Sequence, residues 1–463
     1  MRNRSVDFTE GKLLPSIVRY TIPLILSSLV QLFFNAADLA VLGNFDTSAD
    51  SSAIGAVGAT GSIIALLVSS FVGLSGGTNV LLSRAVGAKN EERAQDIVGT
   101  SLILALVMGI FVVFVGTVTA RWFLNVTGCP DNCYSGALTY LYIYFAAAPA
   151  ILIYNFGSAI IRVSGDSSSP FIYILISGIL NVVLNFILCV VMKEKVAAVA
   201  IATLVSNVLG MLLVIRHLLK LKTGACRVDI RHLCFSAKEL GGIFALGLPT
   251  AFTTSIYSIS ALQIQSTVNS FGSSAVAGNS AATQVENFIN CVASSFASAA
   301  MIFVGQNVGA KRPDRVKKSI ATCAIINVSM ALVLGYGLMA VSKYVVGIFV
   351  PDDAVAIAVA VLRLSCLLGI FFTTSLDCVL SFSMRALGHS LLPMINSLIT
   401  VVGFRAAWMA WIYPHLPTVG DPTKDIFNVY ACFMVSWTLS LVVQIIMFVF
   451  VYRKYTLGRV KEV

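Results

Sequence analysis

QLFFNAADLAVLGN, residues 31–44, places an aspartate, Asp38, inside an otherwise apolar run. A carboxylate at the centre of a bilayer costs about 2.5–3.5 kcal/mol on insertion scales, so such a residue faces a wet cavity, a bound ion or a partner. Ser28, Gln31, Asn35 and Asp38 fall at i, i+3, i+7 and i+10, one stripe of a helix with 3.6 residues per turn. The polar groups share one face and Leu, Phe, Ile and Val fill the rest. This pattern predicts one wall of a polar cavity within a membrane protein.

Composition agrees with that reading. The chain is 57% hydrophobic and 11% charged, against about 25% charged in soluble domains, too little to cover a surface facing water. A helix needs about 20 apolar residues to span a bilayer. Twelve such runs are found, near 15–44, 53–82, 97–120, 136–161, 169–192, 196–219, 239–270, 275–308, 319–342, 354–384, 391–413 and 427–452. The expected fold is all-α and polytopic. Several runs are long enough to predict tilted or kinked helices. The mixed-charge start and the long apolar run after Pro15 predict no cleavable signal peptide.

The net charge of +10 raises the question of nucleic acid, and the placement of the charges answers it. With both termini in the cytoplasm, 24 of the 31 Lys and Arg fall on the cytoplasmic side. Five, Arg121, Lys193, Lys195, Lys343 and Lys424, fall outside, and Arg363 and Arg405 lie inside spans. So lopsided a count is a topology signal. The basic excess faces the inner side of a cell membrane, and no nucleic-acid partner is expected.

The chain also repeats itself. Gly87-Ala88-Lys89 matches Gly309-Ala310-Lys311 at an offset of 222, Ile22-Pro23 matches Leu248-Pro249 at 226, and Arg162, Gly165 and Pro170 match Arg385, Gly388 and Pro393 at 223. Each half carries an even number of spans, so the halves insert the same way up and are related by an axis along the membrane normal. The division is 1–219 for an N-terminal lobe of six helices, 220–236 for a basic linker and 237–463 for a C-terminal lobe of six. Gly-Ala-Lys suits a helix stop, with Gly in the left-handed conformation and Lys at the negative end of the dipole. Pro170 and Pro393 suit first turns. Pro23 and Pro249 are either hinges or plain helix starts.

In order along the chain stand Pro23 with Asp38 fifteen residues later, the GA endings after the second and eighth spans, RVSGDSSSP at 162–170, Leu180-Asn181 with Asn185, and VGQNVGA at 304–310. Together with twelve spans and a duplication, these resemble the multidrug and toxic compound extrusion (MATE) family over essentially the whole chain. The resemblance implies two six-helix lobes around a V-shaped cavity, alternating access, and export of organic, often cationic, compounds in exchange for protons or sodium.

The residues support part of that picture independently. Asp38 lies six residues from the outer end of its span and Asn185 about seven from the end of the fifth, so both sit about 9–10 Å deep at about 1.5 Å per residue. Ser177, Asn181 and Asn185 form an i, i+4, i+8 stripe. The two stripes are expected to meet around a proton or a hard cation such as sodium, Asp38 exchanging it and the amide oxygens completing the shell. The alternative is a polar pair that only joins helices. Relatives often carry a second carboxylate where this chain has Asn185, which leaves Asp38 as the lobe's single acid there.

In the second half, Asn279, Thr283, Glu286, Asn290 and Ser294 make one stripe of the eighth span, and Thr374, Asp377 and Ser381 one of the tenth. Glu286, Asp377 and Asn290, with Asn35, Gln31 and Tyr257, are candidates for a substrate or second ion site. Tyr257 stands where other branches of the family carry an acid. The competing expectation for Glu286 is an ion pair with Arg363 or Arg405. Aromatic residues could stack on a flat cation. Cys129 and Cys133 could form a disulfide on an oxidising side. No metal-ligand spacing, catalytic cluster or phosphate-binding loop is present, so no cofactor, direct ATP drive or enzyme activity is expected. The expectation is a monomeric exporter of small organic cations in the inner membrane, with a lipid-precursor flippase of the same superfamily as the alternative.

Overall fold

The computed structural model describes residues 8–45, 52–127, 129–221, 225–228, 234–351, 353–417 and 421–458. Arg2, Arg4, Lys222, Arg231, Arg459 and Lys461, among the 24 Lys and Arg counted on the cytoplasmic side, lie outside the described residues. The remainder is helical. The helices are α1 (Leu13–Phe45), α2 (Ser52–Gly87), α3 (Glu91–Val126), α4 (Asp131–Val163), α5 (Ser168–Val191), α6 (Lys195–Lys220), α7 (Ala237–Asn269), α8 (Ser273–Gly309), α9 (Pro313–Phe349), α10 (Ala354–Leu368), α11 (Phe371–Ala386), α12 (Leu391–His415) and α13 (Phe427–Thr456). Among the described residues ten helices are long and apolar enough to cross a membrane, and α10 with α11, bent by 50°, makes an eleventh. The 36-residue α2 is the remaining long helix, which gives the twelve-span plan.

Local chemistry explains the ends. Asn90 caps α3 by accepting from the Arg93 N–H at 3.0 Å, with Glu91 and Glu92 in the first turn, where acids meet the positive end of the helix dipole. At the Gly-Ala-Lys stops the left-handed residue is the lysine, not the glycine expected above. Lys89 and Lys311 both have φ 55°. In each, the lysine N–H and the next residue's N–H turn back onto the last helical carbonyls: Lys89 on Val86 and Asn90 on Ala85, Lys311 on Val308 and Arg312 on Asn307. That is a Schellman closure, two residues later than glycine would place it. At the second pair of stops glycine does take this role, at Gly165 (φ 94°) and Gly388 (φ 85°).

The tenth span departs from a single rod. α4 runs unbroken over 33 residues, Asp131–Val163, and its counterpart from Ala354 to Ala386 keeps the same length at an offset of 223 but breaks between Leu368 and Phe371. The prolines are interior: Pro23 lies ten residues into α1 and Pro249 twelve into α7. In both, a hydroxyl one turn later returns to the proline carbonyl, Ser27 Oγ to Pro23 O and Thr253 Oγ1 to Pro249 O, each at 2.7 Å. The same bond thus follows both prolines, each of which removes one backbone donor.

By packing, the chain divides into two units, one containing Val18–Leu248 and the other Gly11–Ile17 and the chain from Pro249 onward. In the first, α4 packs against α2, α3 and α6, and Leu152, Phe156 and Ile160 are fully buried. Close crossings depend on missing side chains. A Cβ on Gly109 would stand 2.5 Å from the Pro149 backbone, and one on Gly77 2.4 Å from the Ile243 carbonyl, the small-residue contact by which membrane helices approach. In the second unit, α8 packs against α9, α10 and α11, and α13 lies on α10 and α11. Outward faces are apolar, as with Val107, Ile110, Phe111, Phe114 and Val118 along α3, which suits lipid rather than water.

Candidate functional site

In the first unit α1 and α5 bring Asp38, Asn185 and Asn181 together. Asn185 donates from Nδ2 to Asp38 Oδ1 at 2.6 Å and to Asn181 Oδ1 at 3.3 Å. Asn181 in turn donates to Thr203 Oγ1 on α6 at 3.4 Å. Thr203 was not anticipated from sequence, although it stands one turn before Ser206 and Asn207 in an otherwise apolar helix. Asn185 is fully buried, Asn181 is 5% exposed, and Asp38 is half-buried. The two helices meet because α5 carries Gly178 where the Phe34 ring of α1 lies; a Cβ there would stand 1.7 Å from that ring. Asn185 Oδ1 is buried and takes no hydrogen bond, so an acceptor is left over beside the carboxylate. Gln31 and Asn35 lie farther along the α1 stripe and are exposed; they do not join the bonded group.

The second unit contains two polar clusters, both arranged along α13. Nearer its Phe427 end, Glu286 on α8 pairs with Arg363 on α10, Oε2 to Nη2 at 2.8 Å. Asn279 Oδ1 also accepts from Arg363 Nη1 and from Tyr430 OH at 3.2 Å, while its amide donates to Gln265 at 2.9 Å. Glu286 is therefore held in an ion pair, and its partner is Arg363 rather than Arg405. Arg405 on α12 is 3% exposed and donates to Ser436 Oγ and Ser260 Oγ, each at 3.0 Å.

One to two turns farther along α13, Ser440 Oγ donates to Asp377 Oδ1 at 3.3 Å. Asn396 donates to Ser440 Oγ at 3.1 Å and Gln444 Oε1 at 2.8 Å. Asp377 is 8% exposed. Tyr257 is 37% exposed and near enough to Asp377 and Arg405 to feel their charges. Asn290 joins neither cluster. The contribution of α13 was missed from sequence, although Ser436, Ser440 and Gln444 repeat at i, i+4, i+8, the spacing that flagged the fifth span. Cys129 and Cys133 are free thiols, so the possible disulfide is not formed.

The MatE family model matches residues 23–187 and 249–409, once in each half. The chain belongs to the MatE family. It is a membrane transporter of the multidrug efflux type and not an enzyme. It is 26% identical over 462 residues to the probable multidrug resistance protein YoeA of Bacillus subtilis, covering 97% of each chain. It is 22% identical to the multidrug export protein MepA of Staphylococcus saprophyticus, covering 75% of this chain and 76% of that one. A MOP superfamily transporter from Pyrococcus furiosus superposes with a TM-score of 0.89 at 20% identity, covering 98% of this chain and 99% of that one, which supports the same fold.

Proposed function

We propose that this transporter exports organic, cationic, drug-like compounds in exchange for protons or sodium, by alternating access. The observation that carries the proposal is the 2.6 Å bond between Asn185 and Asp38, in a group with one acid and no arginine or lysine bonded to it. A carboxylate held by neutral amides keeps its charge available to an incoming cation, whereas one held by arginine does not. For a proton, Asp38 is the acceptor. For sodium, the carboxylate, the unengaged Asn185 Oδ1, Asn181 Oδ1 and Thr203 Oγ1 supply the oxygens that a hard cation needs.

Coupling requires that the ion bind one conformation better than the other, since a site indifferent to conformation shifts nothing. Pro23 and Pro249 interrupt the helices that must bend. Asp377, fenced by Ser440 and Tyr257, contributes in the other half; Glu286, occupied by Arg363, maintains structure. The lysine and arginine distribution supports an inner-membrane protein with both termini in the cytoplasm. The test is ethidium efflux from proteoliposomes, wild type beside Asp38→Asn, under a proton gradient and then a sodium gradient. Efflux driven by one gradient and lost in the variant supports the proposal and names the ion. Ion-driven efflux that survives Asp38→Asn overturns the role of Asp38, and no efflux under either gradient overturns cation export.

A further inference from the structure

Arg405 has more charge than its surroundings neutralise. It is 3% exposed, and its two described partners, Ser260 and Ser436, are neutral hydroxyls that are themselves fully buried. Two of its five N–H donors are engaged, and among the described residues no carboxylate lies within ion-pair distance of it. The neighbouring Arg363 is balanced by Glu286, so it adds no spare negative charge. Both guanidinium groups lie over the Phe433 ring, Arg405 at 4.2 Å and Arg363 at 5.5 Å from its centre. The two cations are therefore within about 10 Å of each other around one aromatic ring. Their cluster carries one positive charge in excess inside a membrane-spanning unit, where an uncompensated charge is costly.

The backbone beneath Arg405 is also unusual. The guanidinium is carried on a single α-helical turn, Phe404–Ala407, between two π-helical stretches, Leu398–Gly403 and Trp408–Ile412. Wide turns of this kind are rare and concentrate at functional sites.

From this geometry we infer that Arg405, set by Ser260 and Ser436 against Phe433, is a binding site for an anionic group, carboxylate or phosphate, on the transported molecule. The substrate class becomes zwitterionic aromatic compounds: a flat cationic body, with an acid that the guanidinium's free fork of N–H donors engages. The inference rests on the export reading above. It adds a second recognition element, in the half of the chain that does not hold Asp38.

The test compares a xanthene dye bearing a free benzoate carboxylate with its methyl ester, which keeps the cationic ring and loses the acid. Binding to purified wild-type protein in phosphatidylcholine nanodiscs is read by fluorescence polarisation, and efflux by proteoliposome assay. Wild type is expected to prefer the acid by roughly tenfold or more, the range for hydrogen bonds to a charged group. Arg405→Gln removes that preference and leaves ester binding within about twofold, while Arg405→Lys keeps part of it. Equal or weaker binding of the acid by wild type overturns the inference without any variant, so a failure of Arg405→Gln to fold does not protect it. A loss of both dyes in a folded Arg405→Gln also overturns it, since that marks a structural role. If phosphatidylglycerol added to the nanodiscs competes with the acid dye, the guanidinium belongs to a lipid headgroup and the inference fails. Transport of both dyes without preference leaves export standing and removes only this step; transport of neither removes export itself.

Discussion

At matched positions the two halves of the chain keep the same backbone and exchange the chemistry on it. Lys89 and Lys311 close α2 and α8 with the same left-handed turn, Gly165 and Gly388 close the next pair, and the hydroxyls of Ser27 and Thr253 bind the carbonyls of Pro23 and Pro249. At the same offsets, Asp38 falls on Ile264, Asn185 on Trp408 and Asn181 on Phe404. In the other direction, at an offset of 223, Arg405 falls on Val182, Arg363 on Tyr140 and Asp377 on Tyr154. Each of these six polar positions in one half is apolar or aromatic in the other. The first half holds one acid bonded only to amides. The second buries Arg363, Arg385 and Arg405 against two acids, one of them locked in an ion pair. Duplication supplied one backbone twice, and on the proposed function the charges on it make one ion-handling half and one cationic half.

The largest expected effect tests the ion-handling half. Coupling between two bound species typically spans 1–3 kcal/mol, or about 5–150-fold, and Asp38→Asn should erase an enhancement of that size in gradient-driven efflux. The variant should melt near wild type, because an amide can still bond Asn185. In the other half the balance is reversed. Glu286→Gln leaves Arg363 buried without its counter-charge, a change that costs about 3–5 kcal/mol in buried pairs. It should lower the thermal midpoint in detergent sharply. Adding Arg363→Met should recover most of that loss, since replacing a buried pair whole is far milder than halving it. If Asp38→Asn proves the destabilising variant and Glu286→Gln only slows transport, the assignment of roles to the two halves is inverted.

A smaller effect tests how the ion site is assembled. Gly178→Ala puts a methyl group 1.7 Å from the Phe34 ring, and overpacking of this kind costs about 1–3 kcal/mol. α1 must shift away from α5, lengthening the bond between Asp38 and Asn185. Efflux at saturating gradient should fall, and the concentration of ion giving half-maximal efflux should rise. The residue at the matching offset is Val401, already a full side chain, so Val401→Ala should leave ion dependence unchanged.

The repeating features were readable from sequence because they are periodic. Twelve apolar runs, the offsets of 222, 223 and 226, and the stripes through Asp38 and Asn185 all express helix geometry, which side chains report at fixed spacing. What stayed hidden depends on a single residue or on a partner far along the chain. The break between α10 and α11 has no counterpart in α4, which runs unbroken from Asp131 to Val163 at the matching offset. The left-handed stop falls on lysine, not glycine, because the helix continues to Gly87 before it closes. Glu286 had two arginines within plausible depth, and only the packing of α8 against α10 selects Arg363. The α13 stripe had the right spacing but carried no charge to draw notice.

The smallest effect separates the halves at a helix start. Asp353 caps α10 by accepting from the Ala356 N–H at 2.9 Å. That backbone bond, with a further one from the Ser274 hydroxyl, holds its carboxyl below the usual carboxylate value. At the matching cap α4 has Pro130, with Asp131 as its first helical residue, and no side chain caps it. A carboxyl whose pKa is lower in the folded state adds stability above its unfolded value of about 4 and loses it as pH falls through the folded value. Asp353→Asn keeps a capping oxygen and removes only the charge. The wild-type advantage in melting temperature should therefore hold steady above about pH 5 and shrink as the pH drops below about 4. Asp131→Asn should change the midpoint less than Asp353→Asn at neutral pH, because there is no capping bond for its charge to strengthen. Equal changes at the two positions would mean that the charge acts on the helix dipole alone and that the capping bond contributes nothing to the difference between the halves.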